Sequence, residues 1–345
     1  MKSSYKLIIA VVIIAVVVIA GVVYVLMSGG VSPTVKKIGL ITGTGGLGDK
    51  SFNDIAYAGA LRAEEDFGLE LDYSQPTAIA EYEGIQIDYA KTGEYALIVC
   101  VGFDQADALT KTAEAYPDQK FALVDSVVDK PNVASLLFKA NEGSFLVGAI
   151  AGAMTETGKI GFVGGMDIPL IQDFRVGYEA GALWANPNVD ILEPVFVGDW
   201  GDPAKGKELA VSLIDLDADV IFPAAGGSGL GALEAVHENE IVGLGVDSCQ
   251  DYLYPEIVAS MTKRVDTAVY EMIKAAIDGD FVGGIYEKGV ADGWTGCSRL
   301  PGEEEFWESN FNFEETPLAA AALTKLTEAR GGIVDGSIVV PSVYE

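Results

Sequence analysis

The chain has 345 residues, with 51 Asp and Glu against 22 Lys and Arg, so its formal net charge is −29. This excess of acid excludes a nucleic-acid-binding surface, because phosphate recognition requires a basic face. Half of the residues are apolar, which is enough for packed cores, and the length fits roughly two domains. One histidine and three separated cysteines give no zinc motif and no disulfide framework.

The N-terminus carries a membrane signal. Residues 7–27 form an almost unbroken apolar run after Lys2 and Lys6. As a helix this run spans roughly the 30 Å hydrocarbon thickness, and the preceding lysines predict export of everything that follows. We therefore expect residues 1–35 to form a transmembrane anchor and tether. A cleaved signal peptide is the alternative.

From residue 36 onward, short β-branched runs alternate with amphipathic helical patterns. This alternation predicts an α/β protein with doubly wound parallel sheets. The pattern occurs in two sets, with a break near residues 156–159. We expect lobe I to comprise residues 36–157 and 262–283. Lobe II should comprise residues 158–261 and 284–345, including a less regular C-terminal appendage.

Ligands of open α/β sheets bind beyond the carboxyl ends of the strands. With two lobes, these ends can face each other across a cleft. The loops that follow the predicted strands are therefore candidate site segments: 43–53, 102–104, 125–126, 164–167, 224–229 and 247–250.

The first of these loops contains G-x-G-x-x-G at residues 43–48, which is the dinucleotide fingerprint. A pyrophosphate cradle needs a helix that begins at the last glycine. Here the predicted helix begins later, near residues 51–53, and the intervening Asp49 opposes phosphate. The pattern favours a glycine-rich cleft loop, with an NAD-dependent enzyme as an alternative.

A second glycine-rich segment spans residues 225–231. It lacks the nucleophile elbow because Leu230 stands where G-x-S-x-G requires glycine. The only imidazole, His237, lies within the helical pattern that follows and is interpreted as a helix-surface residue. The glycines are better explained by close approach of the backbone to a ligand.

Single residues near the predicted cleft have two interpretations each. Asp247 follows a strand and could accept two hydroxyl hydrogen bonds from a sugar, or it could cap the next helix. Asp125 is similar, and Lys263 lies either in the cleft or in solvent. Phe52 could stack on a flat ligand or cover the core.

No carboxylate pair, metal-ligand cluster or base–nucleophile pair emerges from the sequence, so we expect neither catalysis nor a metal or cofactor. Polar groups and aromatics that converge on a cleft indicate a protein that binds a ligand and closes on it.

The D-K-S-F-N run at residues 49–53 resembles the signature of the basic membrane protein family, substrate-binding proteins of ABC importers that include purine-nucleoside binders. The resemblance covers about residues 36–296. It continues through P-N-V-A-S (131–135), N-E-G-S-F (141–145), G-F-V-G-G-M (161–166), D-P-A-K-G-K (202–207), A-A-G-G-S-G (224–229), G-V-D-S (245–248) and S-M-T-K-R-V-D (260–266).

This resemblance implies a type I periplasmic-binding-protein fold, with two lobes joined by a three-strand hinge. It implies delivery of a nucleoside, with a purine expected, to the permease and ATPase of an ABC importer. A ligand sensor for a membrane receptor, and a nucleoside-processing enzyme, are alternatives.

The resemblance also suggests roles for the candidate residues. Phe52 and Phe222 would sandwich the base, and Asn53 and Asp125 would lie near it. The ribose contacts would be Gly227, Asp247 and Lys263. The chain departs from the family pattern at Gly43, where an acid or amide is frequent, and at Cys249, which interrupts G-V-D-S-D-Q.

Overall fold

The structure, a computed structural model, describes residues 37–300 and 317–344. The predicted anchor at residues 7–27 and the start of the C-terminal appendage lie outside the described residues. Within the described ranges, no helix has the length and apolar character needed to cross a membrane.

Strands and helices alternate along the described chain. The strands are β1 (Lys37–Ile41), β2 (Glu70–Ser74), β3 (Tyr95–Val101), β4 (Phe121–Val124), β5 (Val133–Phe138), β6 (Lys159–Gly164), β7 (Asp190–Ile191), β8 (Val195–Phe196), β9 (Val220–Ala224), β10 (Val242–Asp247), β11 (Ile257–Lys263), β12 (Gly284–Lys288) and β13 (Thr295–Cys297). The α-helices are α1 (Phe52–Phe67), α2 (Tyr82–Ala90), α3 (Ala106–Ala115), α4 (Ala140–Met154), α5 (Pro169–Ala185), α6 (Pro203–Ile214), α7 (Gly227–Glu238), α8 (Val265–Asp278) and α9 (Pro317–Asp335).

The described strands form two sheets. The first has the order β12-β5-β4-β3-β1-β2, and all its pairings are parallel. The second has the order β13-β11-β10-β9-β6-β7, with β8 also paired to β6, and only the β11–β13 pairing is antiparallel. Each sheet has its own apolar cores against the helices. The predicted α/β class with two doubly wound parallel sheets is confirmed.

The chain passes between the lobes three times, at the β5–α4, β11–α8 and β12–β13 connections. These connections are hydrogen-bonded to each other. The amide of Lys139 donates to Lys288 O over 2.9 Å, and the amide of Arg264 donates to Trp294 O over 2.8 Å. Backbone bonds of this kind hold the three crossings side by side, as a hinge requires.

Two boundaries differ from those expected for the lobes. Helix α4 lies in the core of the second lobe, although residues 36–157 were expected in the first. Strand β12 pairs in the first sheet, although residues 284–345 were expected in the second. The composition break at residues 156–159 marks a helix-to-strand turn inside the second lobe, whereas the first crossing lies at Lys139, where composition gives no signal.

The described part of the C-terminal segment packs on the second lobe. Ala322, Leu326 and Ala329 of α9 are buried in the same apolar cluster as α4. Beyond α9, the tail is held by Asp173 of α5, whose carboxylate accepts hydrogen bonds from Ser342 Oγ (2.7 Å) and the Val343 amide (3.1 Å). The tail thus braces the helix that forms one wall of the cavity described next.

Candidate ligand-binding site

A cavity lies between the two lobes, at the carboxyl ends of the strands of both sheets. It measures about 680 Å³, counting the space at its mouth that is continuous with solvent. Its lining comes from the loops after β1, β3, β4 and β9, and from the last residues of β10 and β11. The starts of α1 and α7, the loop before α6 and one turn of α5 complete it. This is the position that the strand-end rule predicts for a ligand.

The glycine-rich loop at residues 43–48 leads into α1 through Asp49. The Asp49 carboxylate accepts hydrogen bonds from the amides of Ser51 (2.9 Å), Asn53 (2.9 Å) and Asp54 (3.2 Å). These are the donors at the helix N-terminus that a bound pyrophosphate would need. Because Asp49 already uses them, this loop is not a dinucleotide cradle.

Asn53 is fixed by the same loop. Its Nδ2 donates to Asp49 over 3.0 Å, and its Oδ1 accepts from the Gly43 amide over 2.8 Å. The preceding residue, Phe52, also lines the cavity. Hydrogen bonds within the loop therefore fix the D-K-S-F-N run as one wall of the cavity.

Lys263 and Asp125 form an ion pair across the cleft. Lys263 ends β11 in the second sheet, and Asp125 follows β4 in the first. Lys263 Nζ lies 2.5 Å from Asp125 Oδ2, and the two side chains are only 2% and 4% exposed. The ammonium also lies 4.9 Å from the ring centroid of Phe52 and 5.4 Å from that of Phe174, distances at which a cation attracts an aromatic face.

Asp125 and Asp247 occupy matching positions in the two lobes. Each stands at the carboxyl end of a strand with a left-handed backbone, at φ 67° and φ 63° respectively. Non-glycine residues adopt this conformation rarely, and such strain concentrates at functional sites. Asp247 accepts a hydrogen bond from Ser51 Oγ over 2.6 Å, so it too links the lobes.

Two further hydrogen bonds join the lobes on the side of the cavity where Asp247 lies. Ser248 Oγ donates to the carbonyl oxygen of Lys50 over 2.6 Å, and Gln250 Nε2 donates to the same oxygen over 3.0 Å. The structure therefore has the two lobes in contact around the cavity.

Aromatic side chains from both lobes line the cavity. Phe52 and Phe103 belong to the first lobe, and Phe174 and Trp200 to the second. The indole of Trp200 packs on Gly165, where any Cβ atom would overlap the ring. Glycine at this position therefore allows the indole to lie against the strand end.

Phe222 does not line the cavity. It is fully buried in the core of the second lobe, with ring centroids 5.8 Å from Phe162 and 5.2 Å from Tyr178. Phe222 lies two residues before the carboxyl end of β9, in a strand that is buried throughout, so its side chain is part of the core packing. The structure therefore does not support its expected place beside the base.

Gly227 lies at the start of α7 and lines the cavity, with Asp49 of the other lobe nearby. The adjacent Ser228 accepts from the Asp202 amide and donates to Asp199 O, which makes it a brace for this loop. His237 stacks on Tyr254 at 4.5 Å and bonds Glu256 over 2.7 Å on the protein surface. No nucleophile–base pair exists between Ser228 and His237.

Several cavity residues escape the sequence analysis as individual candidates, among them Asp104, Trp200 and Phe174. Asp104 lies in a candidate loop but carries no motif. Trp200 follows the short strand β8, so the strand-end rule could have identified it. Phe174 lies on α5, where helical periodicity indicates a core position rather than a binding one.

The sequence matches, over residues 36–315, the family described as ABC transporter substrate-binding protein, PnrA-like. The chain belongs to this family.

Individual relatives agree with this assignment. An uncharacterized lipoprotein of Pyrococcus horikoshii is 36% identical over 288 residues, covering 79% of this chain and 71% of the relative. Basic membrane protein A of Borreliella burgdorferi is 34% identical over 251 residues, covering 70% and 72% respectively. An ABC transporter system solute-binding protein from Aeropyrum pernix is similar in structure, with a TM-score of 0.77 and 31% identity over 89% of this chain and 94% of that chain.

As a member of this family, the chain is a substrate-binding protein of an ABC transporter and not an enzyme. Its partners are a small-molecule ligand and the permease and ATPase subunits of a transporter. Clefts between domains are preferred positions for small-molecule sites.

The buried carboxyl of Asp247 makes the stability of the ligand-free protein depend on pH. Burial raises the pKa of Asp247 from 3.8 to about 6, although Lys263 and the Ser51 hydrogen bond favour the charged form. Between these two values the folded protein binds a proton that the unfolded chain does not, so the free energy of unfolding falls as the pH rises through this window.

We expect Asp247→Asn to raise the free energy of unfolding at pH 7.5 by about 1–3 kcal/mol, because it removes an incompletely compensated buried charge. At pH 4.5 the wild-type carboxyl is largely protonated, and the gain should shrink. Urea denaturation at both pH values measures it. An equal gain at both would contradict this account of Asp247.

Proposed function

We propose that this substrate-binding protein binds a nucleoside, with a purine preferred, in the cavity between its lobes. The observation that carries the proposal is the combination of aromatic walls with a buried carboxylate–ammonium set in one cavity. The aromatic part suits a flat base, and the charged part suits the hydroxyls of a sugar.

The aromatic walls support binding of a planar group. Phe52 reaches the cavity from one lobe and Trp200 from the other, so closure of the lobes would bury both faces of a base. Aromatic pairs contribute beyond the area that they bury.

The charged groups support binding of a sugar. The carboxylate of Asp247 can accept hydroxyl protons, and the ammonium of Lys263 can donate to hydroxyl oxygens. Both are buried, so their hydrogen bonds to a ligand would be charge-assisted and shielded from water. Gly227, at the start of α7, leaves room for the sugar to approach the backbone.

The sign of the charges favours an uncharged nucleoside over a nucleotide. Among the described lining residues, four are carboxylates (Asp49, Asp104, Asp125 and Asp247) and one is a cation, Lys263. A phosphate brought into this cavity would meet net negative charge in a poorly hydrated space. The lone ammonium is moreover already paired with Asp125.

Residues 7–27 would hold the protein at the membrane, with the body on the extracytoplasmic side. Their length and apolar character, and the lysines before them, support this topology. The archaeal relative named a lipoprotein is consistent with a membrane-attached body. From there the protein would deliver its nucleoside to the permease.

Isothermal titration of the full chain in detergent tests the proposal. We expect binding of at least one of adenosine, guanosine, inosine, uridine and cytidine. The 5′-monophosphate of the bound nucleoside should bind at least about 100-fold more weakly, because charge repulsion in a buried site costs several kcal/mol. If none of the five nucleosides binds, the nucleoside assignment is wrong.

Asp247→Ala separates the sugar contact from the base contact. We expect nucleoside affinity to fall about 10- to 100-fold, since charge-assisted hydrogen bonds contribute about 1.5–3 kcal/mol. Binding of the free base should change little. Asp190→Ala, at an exposed position, serves as the control. An equal loss for base and nucleoside would argue against a ribose role for Asp247.

A further inference from the structure

The carboxylates of the cavity differ in how far the protein already uses their hydrogen-bonding capacity. Asp49 accepts three backbone amides and the side chain of Asn53. Its two oxygens are thus occupied in fixing the start of α1. Asp49 has little capacity left for a ligand.

Two other carboxylates take part in the contact between the lobes, and of these Asp247 keeps acceptor capacity for the proposed sugar. Asp125 holds Lys263, and Asp247 accepts from Ser51. Both lie on the side of the cavity where β4, β10 and β11 end. Under the proposed function this is the sugar side.

Asp104 is different. It lies in the short 3₁₀ turn Phe103–Gln105, directly after β3. Its Oδ2 accepts a hydrogen bond from the hydroxyl of Tyr82 over 2.8 Å, and Tyr82 is fully buried. Within the described part of the chain, no other residue donates a hydrogen bond to Oδ1. Asp104 is therefore oriented by Tyr82 and keeps acceptor capacity for the cavity that it lines.

The position of Asp104 places it on the base side. A Cβ atom at Gly102 would stand 2.9 Å from Asp104 Oδ1 and 4.0 Å from Cε1 of Phe52, so the carboxylate and the aromatic ring are neighbours. Strand β3 pairs with β4, with Val101 opposite Val124. Asp104 and Asp125 therefore follow adjacent strands of the first sheet.

We propose that Asp104, held in place by Tyr82, is the specificity-determining residue of the cavity and selects a base that presents two adjacent N–H donors, as guanine does. This inference rests on the proposed nucleoside function. An ionised carboxylate only accepts hydrogen bonds. Guanine offers N1–H beside the N2 amino group, hypoxanthine offers N1–H alone, and adenine sets its amino group beside an acceptor nitrogen.

Gly43, two residues after β1, has no side chain to offer a base, and its amide is bound to Asn53. A base with an acceptor facing Asp104 would leave that acceptor against a carboxylate, which is unfavourable in a buried site. Sites built to hydrogen-bond a particular group discriminate strongly against ligands that lack it.

Isothermal titration of the full chain with guanosine, inosine and adenosine tests the proposal. We expect the wild-type protein to bind guanosine most tightly, inosine more weakly and adenosine at least about 10-fold more weakly than guanosine. Asp104→Asn should weaken guanosine binding about 10- to 100-fold. The same change should leave adenosine binding unchanged or strengthen it, because an amide offers adenine both a donor and an acceptor.

Two further variants complete the design. Tyr82→Phe removes only the hydroxyl that orients Asp104, so it should reduce the preference for guanosine over adenosine without abolishing nucleoside binding. Asp107→Asn makes the same chemical change three residues away at an exposed position, and it should leave all three affinities unchanged.

The outcomes are distinguishable. Equal affinities for guanosine and adenosine in the wild-type protein, or equal losses for both in Asp104→Asn, would overturn the role of Asp104 while the nucleoside function stands. Absence of binding by every nucleoside would instead refute the proposed function itself. The wild-type comparison needs no variant, so equal affinities there overturn the role of Asp104 even if Asp104→Asn does not fold.

Discussion

The ion pair between Lys263 and Asp125 is the interaction on which the closed cavity depends. The two residues come from different sheets, lie 2.5 Å apart, and are almost completely withdrawn from water. A buried pair loses the hydration of both charges, and it regains that free energy only when its geometry is good and the surrounding polar groups are satisfied. Separation of the lobes would return both charges to water. Closure is therefore favoured most when the remaining polar groups of the cavity also have partners, and a ligand supplies these partners.

The same reasoning explains why the cavity carries more acid than it can neutralise. Asp247 accepts a hydrogen bond from one hydroxyl and Asp104 from another, so both carboxylates retain acceptor capacity. Burial raises the pKa of each, which reflects an unfavourable free energy of the charged forms. A ligand rich in N–H and O–H donors offsets this free energy. Binding sites commonly reduce the stability of the empty protein in this way.

Much of the fold and part of the site follow from the sequence, because parallel strands are buried runs with loops at defined ends. The rule that ligands lie beyond those ends predicts the cavity positions of Asp125 and Asp247. It does not extend to Phe222, which lies inside its strand, and periodicity gives no indication that Phe174 faces the cavity from a helix. Trp200 lies in the loop that follows β8, so the same rule indicates its loop although no motif marks the residue itself. The lobe boundary at α4 depends on packing between residues that are distant in the sequence. Local composition carries no information about such packing.

A crystal structure of the full chain grown with the tightest-binding nucleoside is the most direct test of the central claim. The account predicts a nucleoside between the closed lobes, its base against Phe52 and Trp200 and its ribose hydroxyls within hydrogen-bonding distance of Asp247 and Lys263. A ligand whose sugar lies away from Asp247, or lobes that close on an empty cavity in saturating nucleoside, would contradict it.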